Sequence, residues 1–297
     1  MKLNIFFNFQ DSAFGGGNQF LKTLKHKLNT LNLYEEDAKN SSVIIFNSHQ
    51  QYQEIFKLKK VLLNTKFIHR VDGPIRLYND MSDTRDDIVY NLNRLSDGTI
   101  FQSKYSFENN IKLGMKCPSR YRIIQNFCDE NIFKTKNSIG INAKIRIIST
   151  SFSTNIKKGF GIYKFLDDNL DFSKYEYVFV GNSPAQFNNI KNIGCLNTEE
   201  VAKELYKSDI YLTASQNDPC SNSLIEAQTV GLPTIALNSG GHPEIINNNA
   251  ELYESKDDLL EKINNVSSNI QDYFLKRSKI NSDRITEKYI QFARSLQ

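Results

Sequence analysis

The sequence predicts an α/β protein with two parallel-sheet domains, and three observations lead to this class. Short apolar runs alternate with helix-like segments along nearly the whole chain, which is typical of parallel sheets joined by right-handed crossovers. An Asn/Lys-rich, weakly apolar stretch at 126–142 interrupts the alternation once. The length of 297 residues also suits two domains of about 100–200 residues each.

The predicted strands are short apolar runs bounded by polar residues. In the first half they are Leu3–Asn8, Val43–Asn47, Lys66–His69, Thr99–Gln102 and Tyr121–Gln125. In the second half they are Ile145–Thr150, Tyr177–Val180, Ile210–Thr213, Thr234–Leu237 and Glu251–Tyr253. Helical periodicity is clearest in Gln19–Leu31, Gln50–Lys59, Thr84–Leu95, Thr198–Ser208 and Ser223–Val230.

We place the hinge in the interrupting stretch, which gives an N-terminal domain at 1–138 and a C-terminal domain at 139–279. A last helix at 280–297 has apolar positions suited to packing back on the N-terminal domain. Ligands of open parallel sheets bind beyond the carboxyl ends of the strands. We therefore expect the site in a cleft across which the two sheets face each other.

The net charge is +4, and the excess of Lys and Arg lies mainly in the first half. The basic groups are Lys22/Lys25/Lys27, Lys57/Lys59/Lys60 and Lys112/Lys116/Arg120/Arg122. They form either an ordinary solvated surface or one that meets anionic headgroups or a phosphate-bearing acceptor. No basic-aromatic motif of a nucleic-acid-binding module occurs, so we expect no nucleic-acid partner.

The four cysteines, Cys117, Cys128, Cys195 and Cys220, lack the spacing of metal ligands. The first residues, MKLNIFFNF, resemble a strand and lack the small-residue cleavage site of a signal peptide. No apolar run approaches the length of about 18 residues that a membrane span requires. We expect reduced cysteines, no metal site and a cytoplasmic protein, with peripheral contact at the inner face of the membrane as a further hypothesis.

The segment DPCSNSLIEAQTVGLP at 218–233 is the strongest local signal. It follows a predicted strand and opens a helix near Asn222, so the backbone N–H groups and dipole of the helix start suit a phosphate group. Seven residues separate Asp218 from Glu226, and carboxylates beside a phosphate site suit the hydroxyl groups of a sugar. The alternative is that Ser223 and Glu226 form a capping box and only start their own helix.

This segment and its continuation TIALNSGGHPEII at 234–246 resemble the donor-site signature of retaining glycosyltransferases of family 4. The resemblance covers about Ile147–Ile246 and implies the GT-B fold, with two Rossmann-like domains. It implies that Asp218 contacts the transferred sugar and that Glu226 holds the ribose hydroxyls. Asp218 stands where the family usually has Glu, a shorter reach that bears on sugar preference. The implied donor contacts of the turn itself are Cys220, Ser221, Asn222, Ser223 and Leu224.

Three further segments resemble the family in order and spacing. IISTSFSTNIKKG at 147–159 resembles the segment whose lysine neutralises the diphosphate, which implies Lys158 and, beside it, Lys157. The family often has Arg where this chain has Ser153, so neutralisation falls on these lysines and the helix N-terminus. YVFVGN at 177–182 and GCL at 194–196 resemble two donor loops. They imply donor contacts from Asn182, Cys195 and Leu196.

The loop DSAFGGGNQ at 11–19 lies between the first strand and the first helix. Its glycines let backbone amides approach a ligand closely. It fails the dinucleotide fingerprint because Phe20 stands at the third glycine position, and it lacks the lysine of a P-loop. The alternative is a tight strand-to-helix turn. The resemblance implies that Gly16 and Gly17 touch the donor phosphate and that Asn18 meets the acceptor.

The segment FIHRVDGP at 67–74 ends a strand with three ionisable residues. It resembles an RVDGP signature in a subset of family 4, which implies that His69 or Asp72 acts near the reacting carbon and that Arg70 meets the acceptor. The alternative for His69 is a satisfied core residue. Gln102 and Asn126 also resemble family landmarks at strand ends, with plain turn chemistry as the alternative.

The resemblance implies a retaining, metal-independent hexosyltransferase without a cofactor. The donor would be a nucleotide diphosphate sugar, and the leaving phosphate would take the acceptor's proton. No Asp-x-Asp pair occurs, which disfavours a metal-bridged diphosphate. The basic first half suggests a lipid-linked or lipopolysaccharide-type acceptor in polysaccharide biosynthesis. The rival functions are a nucleotide-sugar epimerase or phosphorylase on the same fold, a non-catalytic nucleotide-sugar- or glycan-binding protein, and an NAD-dependent reductase, which Phe20 disfavours.

Overall fold

The structure is a computed structural model that describes residues 1–10, 16–140 and 143–297. The chain forms two compact units. Unit 1 consists of Met1–Gln10, Gly17–Asn126 and Asn281–Gln297. Unit 2 consists, among the described residues, of Gly16 and Phe127–Ile280. The chain thus leaves unit 1 after Asn126 and returns to it for the last helix, while the predicted boundary at residue 138 stays a prediction.

Unit 1 is built on a five-stranded sheet whose strands follow one another in chain order, all parallel. The strands are β1 (Leu3–Phe6), β2 (Val43–Asn47), β3 (Lys66–Val71), β4 (Gly98–Phe101) and β5 (Tyr121–Ile123). The helices are α1 (Gly16–Thr30), α2 (Tyr52–Val61), α3 (Ile75–Tyr78), α4 (Arg85–Asn93), α5 (Lys104–Lys112) and the C-terminal α12 (Ser282–Arg294).

The core of unit 1 surrounds its central strands. All five residues of β2 are buried, as expected of a parallel strand covered on both faces. The C-terminal helix packs closely on the sheet at Gly98, where a Cβ atom would lie 2.8 Å from the ring of Phe292. Tyr289 of the same helix contacts Phe20 of α1, with ring centroids 5.9 Å apart. The last helix is therefore an integral part of the core of unit 1.

Unit 2 is built on a six-stranded parallel sheet of order β11-β10-β9-β6-β7-β8. The strands are β6 (Ile145–Ser151), β7 (Tyr175–Gly181), β8 (Lys191–Asn192), β9 (Ile210–Thr213), β10 (Thr234–Leu237) and β11 (Ala250–Tyr253). The helices are α6 (Phe160–Asn169), α7 (Thr198–Lys207), α8 (Asn222–Val230), α9 (His242–Ile245), α10 (Lys256–Ser268) and α11 (Ile270–Leu275).

The second sheet separates two apolar cores. Leu166 of α6 and Ile263 of α10 belong to one core, and Leu205 of α7 and Ala227 of α8 belong to the other. Alternate strand residues feed the two cores, as the period of two along a strand requires. The strand order reverses between β6 and β9, which creates a switch point at the carboxyl edge of the sheet.

The predicted class of two parallel-sheet α/β domains is confirmed. All ten predicted strands occur, and β2, β9 and β10 have the predicted bounds. β1 ends at Phe6, two residues before the predicted end at Asn8. The sequence analysis missed β8 because this two-residue strand is polar and exposed, so no apolar run marks it.

Candidate functional site

Two side chains of unit 2 meet at the carboxyl ends of β6 and β9. The strand order reverses between these strands, and ligands of open α/β sheets bind at such a switch point. Lys158 lies on the loop after β6, and Asp218 lies on the loop after β9. Lys158 Nζ is 3.0 Å from Asp218 Oδ2, and the two side chains are 20% and 13% exposed. The structure thus brings together two residues that the sequence analysis assigned to one site.

Gly159 brings these two loops close together. Its φ angle is 82°, in the left-handed region that glycine adopts without strain, and a Cβ atom would lie 2.2 Å from the carbonyl oxygen of Ala214. One turn into α6, the Tyr163 hydroxyl accepts a hydrogen bond from the Ala214 N–H at 3.1 Å. The start of α6 is therefore fixed against the end of β9, directly after Lys158.

Asp218 is held in its ionised form. Burial by itself would raise the pKa of this carboxyl group, but the positive charge of Lys158 and two hydrogen bonds, the first from Lys158, keep the pKa below its ordinary value. The second hydrogen bond comes from the backbone N–H of Cys220 to Asp218 Oδ1 at 3.2 Å. An ionised carboxylate only accepts hydrogen bonds, which is what a sugar hydroxyl requires of it.

Glu226 does not cap its helix. The N-cap of α8 is Ser221, whose hydroxyl accepts a hydrogen bond from the Leu224 N–H at 3.4 Å. Glu226 lies five positions after that cap, whereas a capping box uses the third. The capping alternative for Ser223 and Glu226 is therefore wrong.

The Glu226 carboxyl group is half-buried, and no described residue forms a hydrogen bond or ion pair with it. Burial raises its pKa to about 8, because desolvation penalises the charged form and no donor compensates for it. Buried polar groups normally have hydrogen-bond partners. Glu226 can therefore accept hydrogen bonds from hydroxyl groups of a ligand without giving up a partner in the described part of the chain.

A glycine turn lies against the backbone of Asp218. Gly240 has a φ angle of 63°, and a Cβ atom there would lie 2.3 Å from the Asp218 carbonyl oxygen. Gly241 N–H donates a hydrogen bond to the same oxygen at 2.8 Å. The GG pair of the predicted signature therefore positions Asp218 through its main chain.

Two residues beside Asp218 were not predicted from the sequence. His242 is fully buried, and its Nε2 lies 3.4 Å from the Ser215 hydroxyl, which lies 3.4 Å from Asp218 Oδ2. His242 stands inside the GGHPE turn that the analysis quoted, and this was the available signal. Nothing in the sequence marks Ser215, because only the fold brings it next to His242.

The other predicted donor residues of unit 2 occupy the same edge with different exposure. Asn182 is exposed, and its side-chain amide donates to the Phe152 carbonyl oxygen at 2.8 Å. Cys195 is an exposed thiol, and Lys157 is half-buried. Leu196 is partly buried against the apolar core of α7 and α8. These residues line the loops after β6, β7 and β8.

At the start of α8, Cys220, Ser221 and Leu224 are buried, and Asn222 and Ser223 are half-buried. The Leu224 side chain belongs to the apolar core, so only its backbone is suited to a polar ligand. Gly16, which belongs to unit 2, lies against Asn222, since a Cβ atom there would be 2.1 Å from the Asn222 amide nitrogen.

In unit 1 a polar cluster lies at the carboxyl ends of β2 to β5. Arg70 is fully buried, and its guanidinium donates to Asn47 Oδ1, to Asp72 Oδ1 at 3.0 Å and to Asn126 Oδ1 at 2.7 Å. Asp72 also accepts hydrogen bonds from Asn47 and Gln102. The side chain of Asp72 is 31% exposed and that of Arg70 is not exposed. Asp72 is therefore the member of this pair that a ligand can reach.

His69 lies in the interior of unit 1. Its ring is fully buried and stacks on Phe46 with centroids 4.4 Å apart. Nε2 contacts the Ser48 carbonyl oxygen at 2.9 Å, and Nδ1 contacts the Asn93 side-chain amide at 3.2 Å. Burial lowers the pKa of His69 to about 3, so the ring is neutral. This geometry matches the core alternative.

The predicted glycine loop is only partly described. Residues 11–15, including the first of its three glycines, lie outside the described residues. Asn18 is buried and forms two hydrogen bonds with Gln10, accepting from the N–H at 3.1 Å and donating to the carbonyl oxygen at 3.0 Å. At Gly17 no described atom lies within 4 Å of the position of a Cβ atom.

Among residues 1–10, 16–140 and 143–297, no group of three or more His, Cys, Asp or Glu side chains is arranged to hold a metal ion. In the same part of the chain, no helix combines the length and apolar character that crossing a membrane demands.

Comparison with known proteins gives one family match. Residues 171–280 match the family described as glycosyl transferases group 1. None of the curated proteins matches the sequence.

Solved structures match the whole chain. Sucrose-phosphate synthase from Thermosynechococcus elongatus has a TM-score of 0.76 at 13% identity, covering 100% of this chain and 99% of its own. Anabaena HepE, solved in complex with UDP, has a TM-score of 0.73 at 16% identity, covering 99% and 100%. A glycosyltransferase from Rickettsia africae has a TM-score of 0.63 at 15% identity, covering 98% and 84%.

At these identities the likeness concerns the fold alone. The two parallel-sheet units therefore have the GT-B fold of these structures. The residues that match group 1 glycosyl transferases, 171–280, include both Asp218 and Glu226.

Proposed function

We propose that this chain is a retaining, metal-independent glycosyltransferase of family 4. It would move a hexose-type sugar from a nucleotide diphosphate sugar to a hydroxyl acceptor. One arrangement in unit 2 carries the proposal. The Lys158–Asp218 pair lies before the N-terminus of α8, and Glu226, which has no partner among the described residues, lies in the first turns of that helix. The family match of residues 171–280 and the UDP bound to Anabaena HepE support a nucleotide-sugar donor.

In the proposed reaction, the bond between the anomeric carbon and the diphosphate oxygen breaks. A bond from that carbon to the acceptor oxygen forms on the same face, and the acceptor proton passes to the departing phosphate oxygen. No protein base is needed for this transfer. The Lys158 ammonium and the amide end of α8 would stabilise the charge on the leaving phosphate, each such donor contributing about 3 kcal/mol. Lys157 and the backbone of Gly16 and Gly17 would act beside them.

The two carboxyl groups would have separate tasks. No residue in the described part of the chain forms a hydrogen bond or ion pair with Glu226, so ribose hydroxyls would supply hydrogen bonds to it. Asp218 is ionised beside Lys158, so it would accept a hydroxyl of the transferred sugar while the lysine turns towards the diphosphate. Carboxylates and an ammonium group in one site thus match a ligand that carries both hydroxyls and phosphates.

On the acceptor side we assign the ligand contact to Asp72 because its carboxylate is partly exposed. Arg70 and Asn18 would act indirectly. Arg70 holds Asp72 at 3.0 Å, and Asn18 fixes the chain at Gln10. His69 would support the strand rather than the reaction, since both of its ring nitrogens have partners.

The acceptor that we propose is lipid-linked or of lipopolysaccharide type, met at a membrane surface. Val61 and Leu63, at the end of α2, are 69% and 85% exposed, and Lys57 and Lys60 beside them are exposed as well. Apolar side chains flanked by lysines suit an anionic lipid surface. Co-sedimentation with vesicles tests this, and binding that ignores anionic lipid content would contradict it.

The donor is tested by a thermal-shift panel of UDP, GDP, ADP and their sugars. A ligand present at 100 times its Kd stabilises the folded protein by about 2.7 kcal/mol. Glu226→Ala should abolish the shift, whereas Glu261→Ala, at an exposed site on α10, should retain it. A panel in which no nucleotide stabilises the protein would contradict the proposal.

A non-catalytic nucleotide-sugar-binding protein is the second candidate. The neutral Ser153 stands where a cation is usual, and its hydroxyl accepts a hydrogen bond from the Asn155 N–H at 3.1 Å. Product analysis separates the candidates. Transfer to an added acceptor supports the glycosyltransferase, binding without turnover supports the second candidate, and conversion of the nucleotide sugar alone indicates an epimerase.

A further inference from the structure

A line of contacts runs from Asp218 into the interior of unit 2. The His242 ring is fully buried, and its Nδ1 lies 2.8 Å from the Leu237 carbonyl oxygen. Because a carbonyl oxygen only accepts, Nδ1 carries the proton, and in the neutral ring Nε2 is an acceptor. Nε2 faces the Ser215 hydroxyl at 3.4 Å, and that hydroxyl faces Asp218 Oδ2 at 3.4 Å.

The Ser215 hydroxyl therefore lies between two acceptors and has one proton to donate. The two distances are equal, and the one to Asp218 Oδ2 exceeds the usual O–H···O separation of about 2.7–2.8 Å. The hydroxyl is therefore not held tightly by either acceptor. Burial lowers the pKa of His242, and the negative charge of Asp218 offsets part of this effect. The ring is thus neutral near pH 7, and its Nε2 lone pair remains available to Ser215.

We propose that Ser215 is an exchangeable hydrogen-bond donor to Asp218 and that His242 Nε2 is the alternative acceptor for the Ser215 proton. In the empty site Ser215 donates to Asp218 Oδ2. When a sugar hydroxyl takes its place on that oxygen, the Ser215 proton turns to His242 Nε2. Both are positioning residues, because neither needs to touch the sugar. Only the arrival of the sugar hydroxyl rests on the proposed function.

The exchange has a physical reason. A sugar hydroxyl that displaced Ser215 without a second acceptor would leave a buried donor unsatisfied, and this loss would oppose sugar binding. With His242 in place, the displaced donor finds a new partner, so the sugar gains its hydrogen bond without that loss. Lys158 Nζ also lies 3.0 Å from the same carboxylate oxygen. An ammonium that turns towards the diphosphate gains phosphate oxygens as partners, so Ser215 is the donor that needs a second acceptor in the protein.

Calorimetric titration with UDP and with UDP-glucose tests the exchange. In His242→Phe, Ser215 has no second acceptor, so affinity for UDP-glucose should fall about 10-fold while affinity for UDP changes by about twofold at most. His242→Gln offers an amide oxygen to Ser215 and should restore most of the affinity for UDP-glucose. Equal losses for both ligands in His242→Phe, without rescue by Gln, would indicate a packing role and overturn the inference.

A second measurement needs no nucleotide. Nitrogen NMR of the ligand-free protein resolves the imidazole rings, and the signals that disappear in His242→Gln belong to His242. These signals should show the Nδ1–H tautomer. The Nε2 resonance should move in Ser215→Ala and stay unchanged in Lys157→Ala. An Nε2 resonance that Ser215→Ala leaves in place overturns the inference even if the protein transfers sugar. A moved resonance in a protein that no nucleotide or nucleotide sugar of the thermal-shift panel stabilises supports the Ser215–His242 contact and counts against the proposed function.

Discussion

Two acidic residues of unit 2 show how hydrogen-bond donors determine the pKa of a buried carboxyl group. Asp167 has no exposed side-chain area, and it accepts hydrogen bonds from the N–H groups of Asn188, Asn189 and Ile190 and from Lys164. Although burial opposes the charge, these donors lower its pKa to about 2. No described residue donates such a hydrogen bond to Glu226, and burial raises its pKa to about 8. The fold thus supplies Asp167 with donors, and the described residues supply Glu226 with none.

The raised pKa of Glu226 has a consequence for stability. The folded protein binds the Glu226 proton up to about pH 8, whereas the unfolded chain releases it near the ordinary pKa of 4.5. This group therefore stabilises the fold fully below pH 4.5, and that contribution is lost as the pH rises towards 8. Glu226→Gln should remove the loss, making the ligand-free variant more stable than wild type at pH 8 by roughly 2 kcal/mol.

Urea unfolding at pH 5 and pH 8 checks this expectation, with the exposed Glu261→Gln as the matched control. The advantage of Glu226→Gln should grow between the two pH values, and that of the control should not. A constant difference would mean that Glu226 ionises normally in the folded protein.

Lys158 and Lys157 are adjacent lysines with different surroundings, since only Lys158 forms an ion pair with Asp218. Lys158→Met should lower kcat/KM for the donor about 100-fold or more, because one charge-stabilising donor is lost from the leaving group. Lys157→Met should lower kcat/KM for the donor by less than about 10-fold. Steady-state kinetics with the nucleotide sugar that gives the largest thermal shift measures both values of kcat/KM. Equal losses of kcat/KM in the two variants would contradict the assignment of the phosphate contact to Lys158.

At this scale the sequence predicted the residues that lie in motifs, and it missed those that only the fold brings together. Asp218 and Glu226 could be named because they stand on one strand-loop-helix segment, and Lys158 because the segment at 147–159 resembles family 4. Ser215 and His242 are 27 positions apart, and no spacing rule relates them. The burial of His69 depends on neighbours from β2 and α4, which the sequence around it does not show.

At the scale of elements, the start of α6 depends on one glycine. In Gly159→Ala the new Cβ atom would meet the Ala214 carbonyl oxygen at 2.2 Å, at a φ angle of 82°. We expect a loss of about 2 kcal/mol or more in the free energy of unfolding. The Lys158–Asp218 pair should also be displaced, because the clash pushes the two loops apart.

Gly161, two residues later, provides the control. It lies inside α6, and no described atom is within 4 Å of the position of a Cβ atom. Gly161→Ala should therefore stabilise the protein by about 0.5–1 kcal/mol. Chemical unfolding measures the change in the free energy of unfolding for both variants. A Gly159→Ala variant as stable as wild type would show that Ala214 shifts to accommodate the new methyl group.

Elements were predictable where an apolar run stands between polar turns, as in β2, β9 and β10, whose bounds agree with the prediction. The capping of α8 was not predictable in the same way. Two serines precede the helix, Ser221 and Ser223, and both suit an N-cap. The choice of Ser221 follows from where the loop after β9 leaves the sheet.

At the scale of the whole molecule, the discontinuity of unit 1 leads to a prediction about its stability. Phe292 is 4% exposed and packs at Gly98, so Phe292→Ala should leave a cavity and cost about 3–5 kcal/mol. Hydrogen exchange should lose protection in β4 and α12 together, while β9 and β10 keep theirs. The control is Lys288→Ala on the exposed face of the same helix. Uniform loss of protection across both units would contradict this separation.

The two-domain α/β class was predictable because alternation of apolar runs and helical segments is a property of the chain itself. The point at which the chain crosses from unit 1 to unit 2, between Asn126 and Phe127, is a property of packing. Phe127 and Phe133 are buried, and Phe133 belongs to a core of unit 2. A search for polar linkers does not reveal such an apolar crossing segment.

The return of α12 to unit 1 also orders events on the ribosome. The strands of unit 1 emerge first, yet the helix that covers Gly98 is made only after the whole of unit 2. A nascent chain therefore has to carry an unfinished amino-terminal half through translation of the entire second half. Unit 2, whose segment from Phe127 to Ile280 is continuous in the chain, can complete its fold before its predecessor does. A chain that ends at Ile280 and is tethered to the ribosome by an unstructured linker longer than the exit tunnel would display this inverted order, with a protease-resistant second half behind a protease-sensitive first.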